Sequence, residues 1–405
     1  MQKKKLNLSV QILIGLVLGI VAGLLLQKNP EIATKYIRPL GTVFLNAIKM
    51  IIVPLVFSSL VVGVCNLNDI NKLGSLGGKT FLYYMFTTLL AVSLGLVFAN
   101  ILNPGLGFAL PTEELIVEAK EAPSFIETLV NIIPSNPLQS LVGGNMLQII
   151  VFALVLGAGI LVIGERGRAL YQVFDGLAET MYKITGWIMR LAPIGVFGLM
   201  TPVVASQGMD VLQPLLKVII AVYLASIAHM LITYSLTVRF LGRRSPLEFF
   251  KGAFPAWVTA FTTASSSGTL PVSIACAEEN LKVPKPVASF VLPLGATINM
   301  DGTAIYQGVC VLFIAQVYGL DLSFAQQITV VLTATLASIG TAGVPGAGLI
   351  MLSMVLHSVG LPLEGIALVA GIDRILDMMR TSVNVLGDIS ASVIVSRGVD
   401  VQQQE

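Results

Sequence analysis

The sequence is poor in charged residues and in the residues that build metal or disulfide sites. Asp, Glu, Lys and Arg make up 11% of its 405 residues, whereas soluble domains contain about 25%. The three cysteines stand far apart and His229 and His357 are isolated, so we predict neither a disulfide framework nor a zinc site and interpret both histidines as core residues. The 24 basic and 22 acidic residues leave a net charge of +2, which excludes a nucleic-acid partner.

Catalytic motifs are also missing from the sequence. It has no recognisable nucleophile–base pair and no metal-ligand spacing. The glycine-rich segment 340–345 lacks the Gly-Lys-Ser/Thr ending of a phosphate-binding loop. We therefore predict that the protein is not an enzyme and that it holds no organic cofactor.

Long apolar segments dominate instead. Hydrophobic residues account for 55% of the chain, and about 20 consecutive apolar residues suffice to cross a bilayer as a helix. Lys and Arg residues cluster at the N-terminus and after every even-numbered segment, which by the positive-inside rule puts both termini in the cytoplasm. We predict an all-α, multi-pass protein of the cell (inner or plasma) membrane. Its eight predicted membrane-spanning segments are 8–27, 36–65, 79–102, 137–165, 177–206, 213–241, 286–318 and 363–397.

Two further apolar segments, 246–280 and 323–360, are interrupted at their centres by residues 265–271 and 338–345. Each half has only about 10 to 15 residues, which is too short to span and is typical of a re-entrant helical hairpin. Each hairpin is followed by a helix with polar residues, and the two hairpins should enter from opposite sides. This order of features indicates an inverted repeat around a site near the membrane midplane.

The last apolar segment carries five polar residues on one side. At about 100° per residue, Asp373, Asp377, Arg380, Asn384 and Asp388 fall within roughly 80° of arc. Charged groups in hydrocarbon cost several kcal/mol, so they normally face a cavity and mark a substrate or ion path. Arg380 presents a fork suited to a carboxylate, while an aspartate can hold an ammonium or a cation. An internal salt-bridge network between the aspartates and Arg380 is the alternative interpretation.

Two other motifs favour ligand binding. Asn299–Thr303 contains an Asp-Gly pair that should unwind one turn of the seventh segment and free carbonyl oxygens, which suit Na⁺. The hairpin tip at Ser265–Ser267 should present free helix-end N–H groups and hydroxyls to a carboxylate. A packed helix kink and close helix packing through small residues are the respective alternatives.

At these motifs the chain resembles the dicarboxylate/amino acid:cation symporters. The most specific pieces are Ser-Ser-Ser-Gly-Thr-Leu-Pro from 265, Asn-Met-Asp-Gly-Thr from 299, Gly-Thr-Ala-Gly-Val-Pro-Gly from 340, and the Asp/Arg/Asn pattern from 373. The resemblance implies a glutamate-transporter-like fold of eight transmembrane helices and two hairpins, assembled as a homotrimer in the lipid bilayer. It also implies a static scaffold (1–78 and 123–212) and a transport domain (79–122 and 213–405) that crosses the membrane as an elevator.

The resemblance implies binding of aspartate or glutamate together with Na⁺ as the coupling ion. The substrate would contact Ser265, Ser266, Ser267, Thr303, Gly343, Val344, Pro345, Asp377, Arg380, Thr381 and Asn384. One sodium site would use Asp388 with carbonyls of Gly295, Asn299 and Asn384. A second would use carbonyls near Thr297, Ser338, Ile339 and Thr341 with the Met300 sulfur, and a third would use Asp301, Asn299, Tyr84, Thr87 and Thr88.

The chain departs from relatives that carry an extra arginine near the substrate. Ala264 precedes the three serines and Met378 follows Asp377, where such relatives have arginine. We expect Asp373 and Arg374 to modulate the charge of the site instead. A proton-coupled glutamate or C4-dicarboxylate symporter is the nearest alternative function, and an ion channel is a more distant one.

Overall fold

The computed structural model describes residues 8–66, 75–108, 130, 133–339 and 347–397, and all regular structure in these ranges is helical. Five stretches of the described chain are long and apolar enough to span a membrane: Pro30–Cys65, Leu76–Leu102, Gln148–Asp210, Leu212–Phe240 and Lys285–Val317. The first helices are α1 (Leu8–Leu25), α2 (Pro30–Ile32), α3 (Arg38–Asn66), α4 (Ser75–Leu102), α5 (Pro137–Gly143), α6 (Met146–Ile163), α7 (Arg168–Gln207), α8 (Leu212–His229) and α9 (Ser235–Phe240). The remaining helices are α10 (Pro246–Thr263), α11 (Ser266–Ala275), α12 (Lys285–Ile298), α13 (Asp301–Val317), α14 (Phe324–Ala337), α15 (Ala347–Ser358), α16 (Ile366–Ala370) and α17 (Asp373–Val395).

One group of helices packs around α7, which contacts α1 and α3, while α6 packs on α3. Glycines in α1 permit this close approach. A Cβ atom on Gly15 would lie 2.2 Å from the carbonyl oxygen of Pro193, and one on Gly23 would lie 2.6 Å from Cβ of Val204. Small residues that let helix backbones meet are typical of helix packing in membranes, where no hydrophobic force drives association.

A second group of helices packs around α13. This helix contacts α4, α15 and α17, and nearly all of its residues are buried. Gly95 of α4 and Gly308 of α13 bring the two helices together, because a Cβ atom on Gly95 would lie 2.5 Å from the carbonyl oxygen of Ile305. A helix buried on all sides needs no polar face, so polar residues within α13 have another role.

The helices α10 and α11 contact each other across a tight turn, and α14 also contacts α15. The predicted interruption at 265–271 is wrong in extent, because Ser266–Ala275 is helical. The turn is compact because Ala264 adopts a left-handed conformation and the Ser265 hydroxyl accepts a hydrogen bond from the Gly268 N–H. A serine at this position satisfies an otherwise free N–H at the start of a helix.

Two predicted spans are also more broken than expected. Residues 137–165 form α5 and α6, which are separated at Gly144 by a left-handed backbone conformation. Residues 363–397 begin with a short 3₁₀ turn, Leu363–Gly365, and α16, and the long helix α17 starts only at Asp373. The polar stripe therefore lies on one uninterrupted helix.

Candidate functional site

The seventh predicted span is broken between α12 and α13, where Asn299 and Met300 are not helical. The side chain of Asn384 in α17 stabilises this break. Its Oδ1 accepts a 2.7 Å hydrogen bond from the Gly302 N–H, and its Nδ2 lies 3.2 Å from the Met300 sulfur. Its backbone carbonyl accepts a 3.1 Å hydrogen bond from Asn299 Nδ2. The predicted unwinding is thus limited to two residues, and α17 satisfies polar groups that the break exposes.

All five residues of the polar stripe on α17 are buried. Arg380 is 1% exposed, and its guanidinium carbon lies 4.2 Å from the centre of the Tyr306 ring. Nη1 donates a 2.8 Å hydrogen bond to Asp373, and Nη2 lies 2.9 Å from Asp377 Oδ1. The internal ion pairs that we considered as an alternative are therefore present.

The guanidinium of Arg380 still has unused donors. Although Nη2 is close to Asp377, the angle is not that of a hydrogen bond, and neither Nη2 nor Nε has a hydrogen-bond partner in the described residues. Two parallel N–H donors of an arginine match the two oxygens of a carboxylate. Arg380 therefore retains hydrogen-bonding capacity beside its bond to Asp373.

Two glycines pack directly against Arg380. A Cβ atom on Gly348 of α15 would lie 2.6 Å from Arg380 Nη1, and one on Gly302 would lie 2.2 Å from the Arg380 carbonyl oxygen. Thr303 Oγ1 lies 3.5 Å from Asn384 Nδ2, and Thr381 is buried. The structure thus brings Thr303, Arg380 and Asn384 together within one region.

Asp301 forms a second polar cluster and is fully buried. Its Oδ1 accepts hydrogen bonds from the hydroxyls of Thr87 at 3.3 Å and Thr88 at 2.7 Å. Its Oδ2 accepts one from the Tyr234 hydroxyl at 2.8 Å and lies 3.2 Å from His229 Nε2. Four polar groups from α4, the end of α8 and the turn that follows it therefore surround this carboxylate.

Asp388 forms a third cluster beside the break. Its Oδ1 accepts a 2.9 Å hydrogen bond from Asn299 Nδ2, whereas Asn299 Oδ1 is buried without a partner in the described residues. A Cβ atom on Gly295 would lie 2.4 Å from Asp388 Oδ1 and 2.5 Å from the Tyr84 hydroxyl. No Lys or Arg of the described chain forms an ion pair with Asp388. This leaves a buried carboxylate next to carbonyl, amide and hydroxyl oxygens, which are ligands that Na⁺ favours.

Tyr84 lies between two of the three sodium sites that the resemblance implies. Its hydroxyl donates to the Val291 carbonyl at 3.0 Å, on the Asp388 side. Its backbone carbonyl accepts a 3.2 Å hydrogen bond from Thr87 Oγ1, on the Asp301 side. Only the backbone of Tyr84 thus lies beside the threonines with which the resemblance grouped it.

Part of the predicted site lies outside the described residues. Thr341, Gly343, Val344 and Pro345 fall in the undescribed segment 340–346. Ser338 and Ile339, immediately before that segment, are buried, whereas Thr297 is exposed.

The serine-rich turn and Arg374 lie on the α10 side of the site. Ser266 is buried and Ser267 is exposed, while the Ser265 hydroxyl caps α11. Arg374 is half-buried, and its Nη2 lies 3.4 Å from the carbonyl oxygens of Thr262 and Thr263 at the end of α10. Arg374 makes no ion pair with Asp377 in the described structure.

His229, Tyr234 and Tyr306 were not predicted as site residues. His229 is in the core, as expected, but it also contacts Asp301, which is 72 residues away in the sequence. Tyr306 lies three residues, about one helical turn, after Thr303 at the end of the Asn-Met-Asp-Gly-Thr motif. The centre of its ring lies 4.2 Å from the guanidinium carbon of Arg380. That spacing is a signal that could have identified Tyr306, whereas His229 and Tyr234 carry no local signal of this kind.

These features define a multi-pass, all-helical membrane protein that encloses charged residues in its interior. The chain belongs to the sodium:dicarboxylate symporter family, whose model matches residues 8–398. It is 42% identical over 402 residues to the proton/sodium-glutamate symport protein of Geobacillus stearothermophilus, covering 97% of this chain and 95% of that protein. It is 38% identical to the proton/glutamate-aspartate symporter of Escherichia coli (98% and 94% covered) and 34% identical to the C4-dicarboxylate transport protein of Bacillus subtilis (96% and 93% covered).

Proposed function

We propose that the protein is a secondary active transporter that couples uptake of aspartate or glutamate to Na⁺. The observation that carries this proposal is the composition of the buried site. Arg380 has free donors for a carboxylate, and the neighbouring Asp301 and Asp388 are paired with no Lys or Arg in the described chain. An excess of buried carboxylates is costly unless cations accompany them. Co-binding of an acidic solute and small cations meets both needs.

The substrate assignment follows from the chemistry at α17. The free N–H groups of Arg380 would bind the side-chain carboxylate of the substrate, with Thr303 beside it. Asp377, which only lies near Arg380 without hydrogen-bond geometry, would turn to the substrate ammonium. Thr381, Asn384 and the serine-rich turn would hold the α-carboxylate. Relatives named as glutamate and glutamate-aspartate symporters support this substrate class.

The sodium ions would bind at the carboxylates beside the break. One ion would use Asp388 with the carbonyls of Gly295, Asn299 and Asn384. Another would use Asp301 with Asn299, the Tyr84 carbonyl and the hydroxyls of Thr87 and Thr88. These sets offer only oxygen ligands, which suits a hard monovalent cation. A third ion near Met300, Ser338 and Ile339 completes the proposed set.

The motion that we propose is an elevator within a homotrimer. Helices α1, α3, α6 and α7 would form the scaffold, corresponding to 1–78 and 123–212. The helices packed around α13 would form the transport domain, corresponding to 79–122 and 213–405. The pairs α10–α11 and α14–α15 would be the two re-entrant hairpins of an inverted repeat, with eight membrane spans and both termini in the cytoplasm. The two packing groups of the helices support this division.

The names of the relatives favour one alternative specifically. Proton coupling occurs in the names of the glutamate symporters, and one relative is named for C4-dicarboxylates. A dicarboxylate has no ammonium, so Asp377 would then have no partner in the substrate. A proton-coupled carrier would respond to a pH gradient in the absence of sodium.

Uptake into proteoliposomes tests the proposal. Labelled aspartate should accumulate under an inward Na⁺ gradient, and excess glutamate but not succinate or serine should compete. Accumulation driven by a pH gradient in sodium-free buffer would favour the proton-coupled alternative. Competition by succinate at an affinity equal to that of aspartate would favour a C4-dicarboxylate carrier. Sodium conductance without any substrate requirement would favour a channel.

A further inference from the structure

The two oxygens of the Asp301 carboxylate have chemically different neighbours. Oδ1 is contacted by the hydroxyls of Thr87 and Thr88 from α4. Oδ2 is contacted by the Tyr234 hydroxyl and the His229 imidazole from the α8–α9 region. A hydroxyl that donates a hydrogen bond keeps lone pairs and can rotate to offer its oxygen to a cation. The imidazole Nε2 must carry a hydrogen to bond a carboxylate, so it has no lone pair to offer.

We propose that His229 and Tyr234 are a positioning pair for the sodium site. They hold Oδ2, which leaves Oδ1 and the two threonine hydroxyls to face the ion. This inference rests on the proposed function, because it assumes that Asp301 is a sodium ligand. Groups that orient a metal-ligating side chain from behind commonly change metal affinity ten- to a hundredfold. His229 and Tyr234 thereby act on sodium through Asp301.

The local backbone brings this pair together. Residues five apart in an α-helix lie about 140° apart around the axis, at about 100° per residue. The segment Met230–Tyr234 is instead a π-helical turn inserted between α8 and α9. Such a turn pairs residue i with residue i+5, which stacks positions 229 and 234 on one side, and isolated π-turns occur frequently at functional sites. The wider π-helical turn therefore directs the side chains of His229 and Tyr234 toward the same oxygen, Asp301 Oδ2.

Packing fixes the geometry of the two side chains. The rings of His229 and Tyr234 meet edge to face, with centres 4.8 Å apart and planes at 78°. Tyr234 is held against α17, because its hydroxyl lies 3.1 Å from the Val383 carbonyl and a Cβ atom on Gly387 would lie 2.7 Å from it. These contacts hold both side chains in place beside Asp301.

The hydrogen bonding of His229 also supports its role in positioning Asp301. The imidazole is fully buried, and its Nδ1 has no partner in the described residues. Its contact with Asp301 is the only hydrogen bond to its side chain in the described chain. A buried histidine that served packing alone would be replaceable by an apolar residue of similar size.

Equilibrium sodium binding without substrate tests the pair directly. Purified full-length variants are titrated with NaCl at constant ionic strength with choline chloride, and sodium-induced thermal stabilisation is followed. His229→Leu should raise the half-saturating sodium concentration ten- to a hundredfold. His229→Gln, whose amide can donate to Oδ2, should stay within about threefold of the parent. Ser226→Ala removes a buried, unpartnered hydroxyl of α8 and is the matched control that should change nothing.

The outcomes separate this inference from the proposed function. If Asp301→Asn abolishes the sodium response but His229→Leu and Tyr234→Phe leave it unchanged, the sodium site stands and the positioning pair is wrong. If Asp301→Asn and Asp388→Asn both leave the response unchanged, the sodium site itself fails. If His229→Leu does not fold, Tyr234→Phe tests the positioning pair instead, because it removes only one hydroxyl oxygen. A sodium midpoint equal to that of the parent in Tyr234→Phe would overturn the inference.

Discussion

Asp388→Asn is the sharpest test of sodium coupling. Asp388 is 3% exposed, and its only described side-chain partner is Asn299 Nδ2 at 2.9 Å. Asparagine has nearly the same shape and keeps an oxygen that can accept this hydrogen bond. The substitution therefore removes the negative charge and leaves the local packing in place.

The expected magnitude follows from the burial of the carboxylate. A unit charge about 4 Å from a sodium ion contributes about 4 kcal/mol at an effective dielectric constant of about 20. Each 1.4 kcal/mol corresponds to about a factor of ten in affinity. We therefore expect the sodium concentration needed for half-maximal aspartate binding to rise by about two to three orders of magnitude in Asp388→Asn.

Binding of labelled aspartate to purified protein, titrated with NaCl against choline chloride, measures this change. Asp321→Asn is the control, because Asp321 is an exposed acid between α13 and α14. The sodium-free melting temperature of Asp388→Asn should equal or exceed that of the parent, since a buried charge without a basic partner is removed. A sodium midpoint unchanged from that of the parent would refute the assignment of Asp388 as a sodium ligand.

Three further substitutions test other parts of the proposal. Arg380→Ala should lower aspartate affinity at least a hundredfold, because charge-assisted hydrogen bonds contribute about 1.5 to 3 kcal/mol each. Neutral amino acids should then compete, and retained selectivity for aspartate in a competition assay would contradict the role. Gly348→Ala should weaken aspartate binding about ten- to a hundredfold by displacing the guanidinium, with sodium binding in the absence of substrate unchanged. Lys49→Met breaks a half-exposed, 3.0 Å ion pair to Glu364 that links α3 to the segment before α16, so the free energy of unfolding should fall by less than about 1 kcal/mol. In single-molecule distance measurements between α3 and α17, the population with the distance of this structure should fall by up to about fivefold. An unchanged distance distribution would exclude the ion pair as a link between the two helix groups.

Periodicity made the polar stripe on α17 predictable. Residues that recur every three or four positions share a helix face whatever the tertiary structure, so the burial of Asp373, Arg380 and Asp388 together followed from their spacing. The site of the break at Asn299 was predictable for a similar reason, since an Asp-Gly pair inside an apolar segment is a local signal. The prediction overestimated its length, because Asn384 restores hydrogen bonds that spacing alone does not reveal.

Contacts that depend on packing between distant segments were not predictable in this way. His229 meets Asp301 only because α8 packs against α13 and because a π-helical turn follows His229. Nothing in a single sequence marks such a turn. The short turn at Ser265 was misjudged for a related reason, since a run of serines can either leave a loop open or cap a helix, and here it caps α11.

The position of Asn384 determines which properties of this carrier can change independently. Its amide oxygen, amide nitrogen and backbone carbonyl contact Gly302, Met300 and Asn299, respectively, at the break between α12 and α13. Under the proposed assignment, in which Asn384 contacts both the substrate and a sodium ion, replacement of this one side chain would disturb recognition of both. Under the same assignment, ion selectivity can change without a change in solute preference only through side chains near the sodium ligands that do not contact the substrate. Thr87 and His229 are two such side chains.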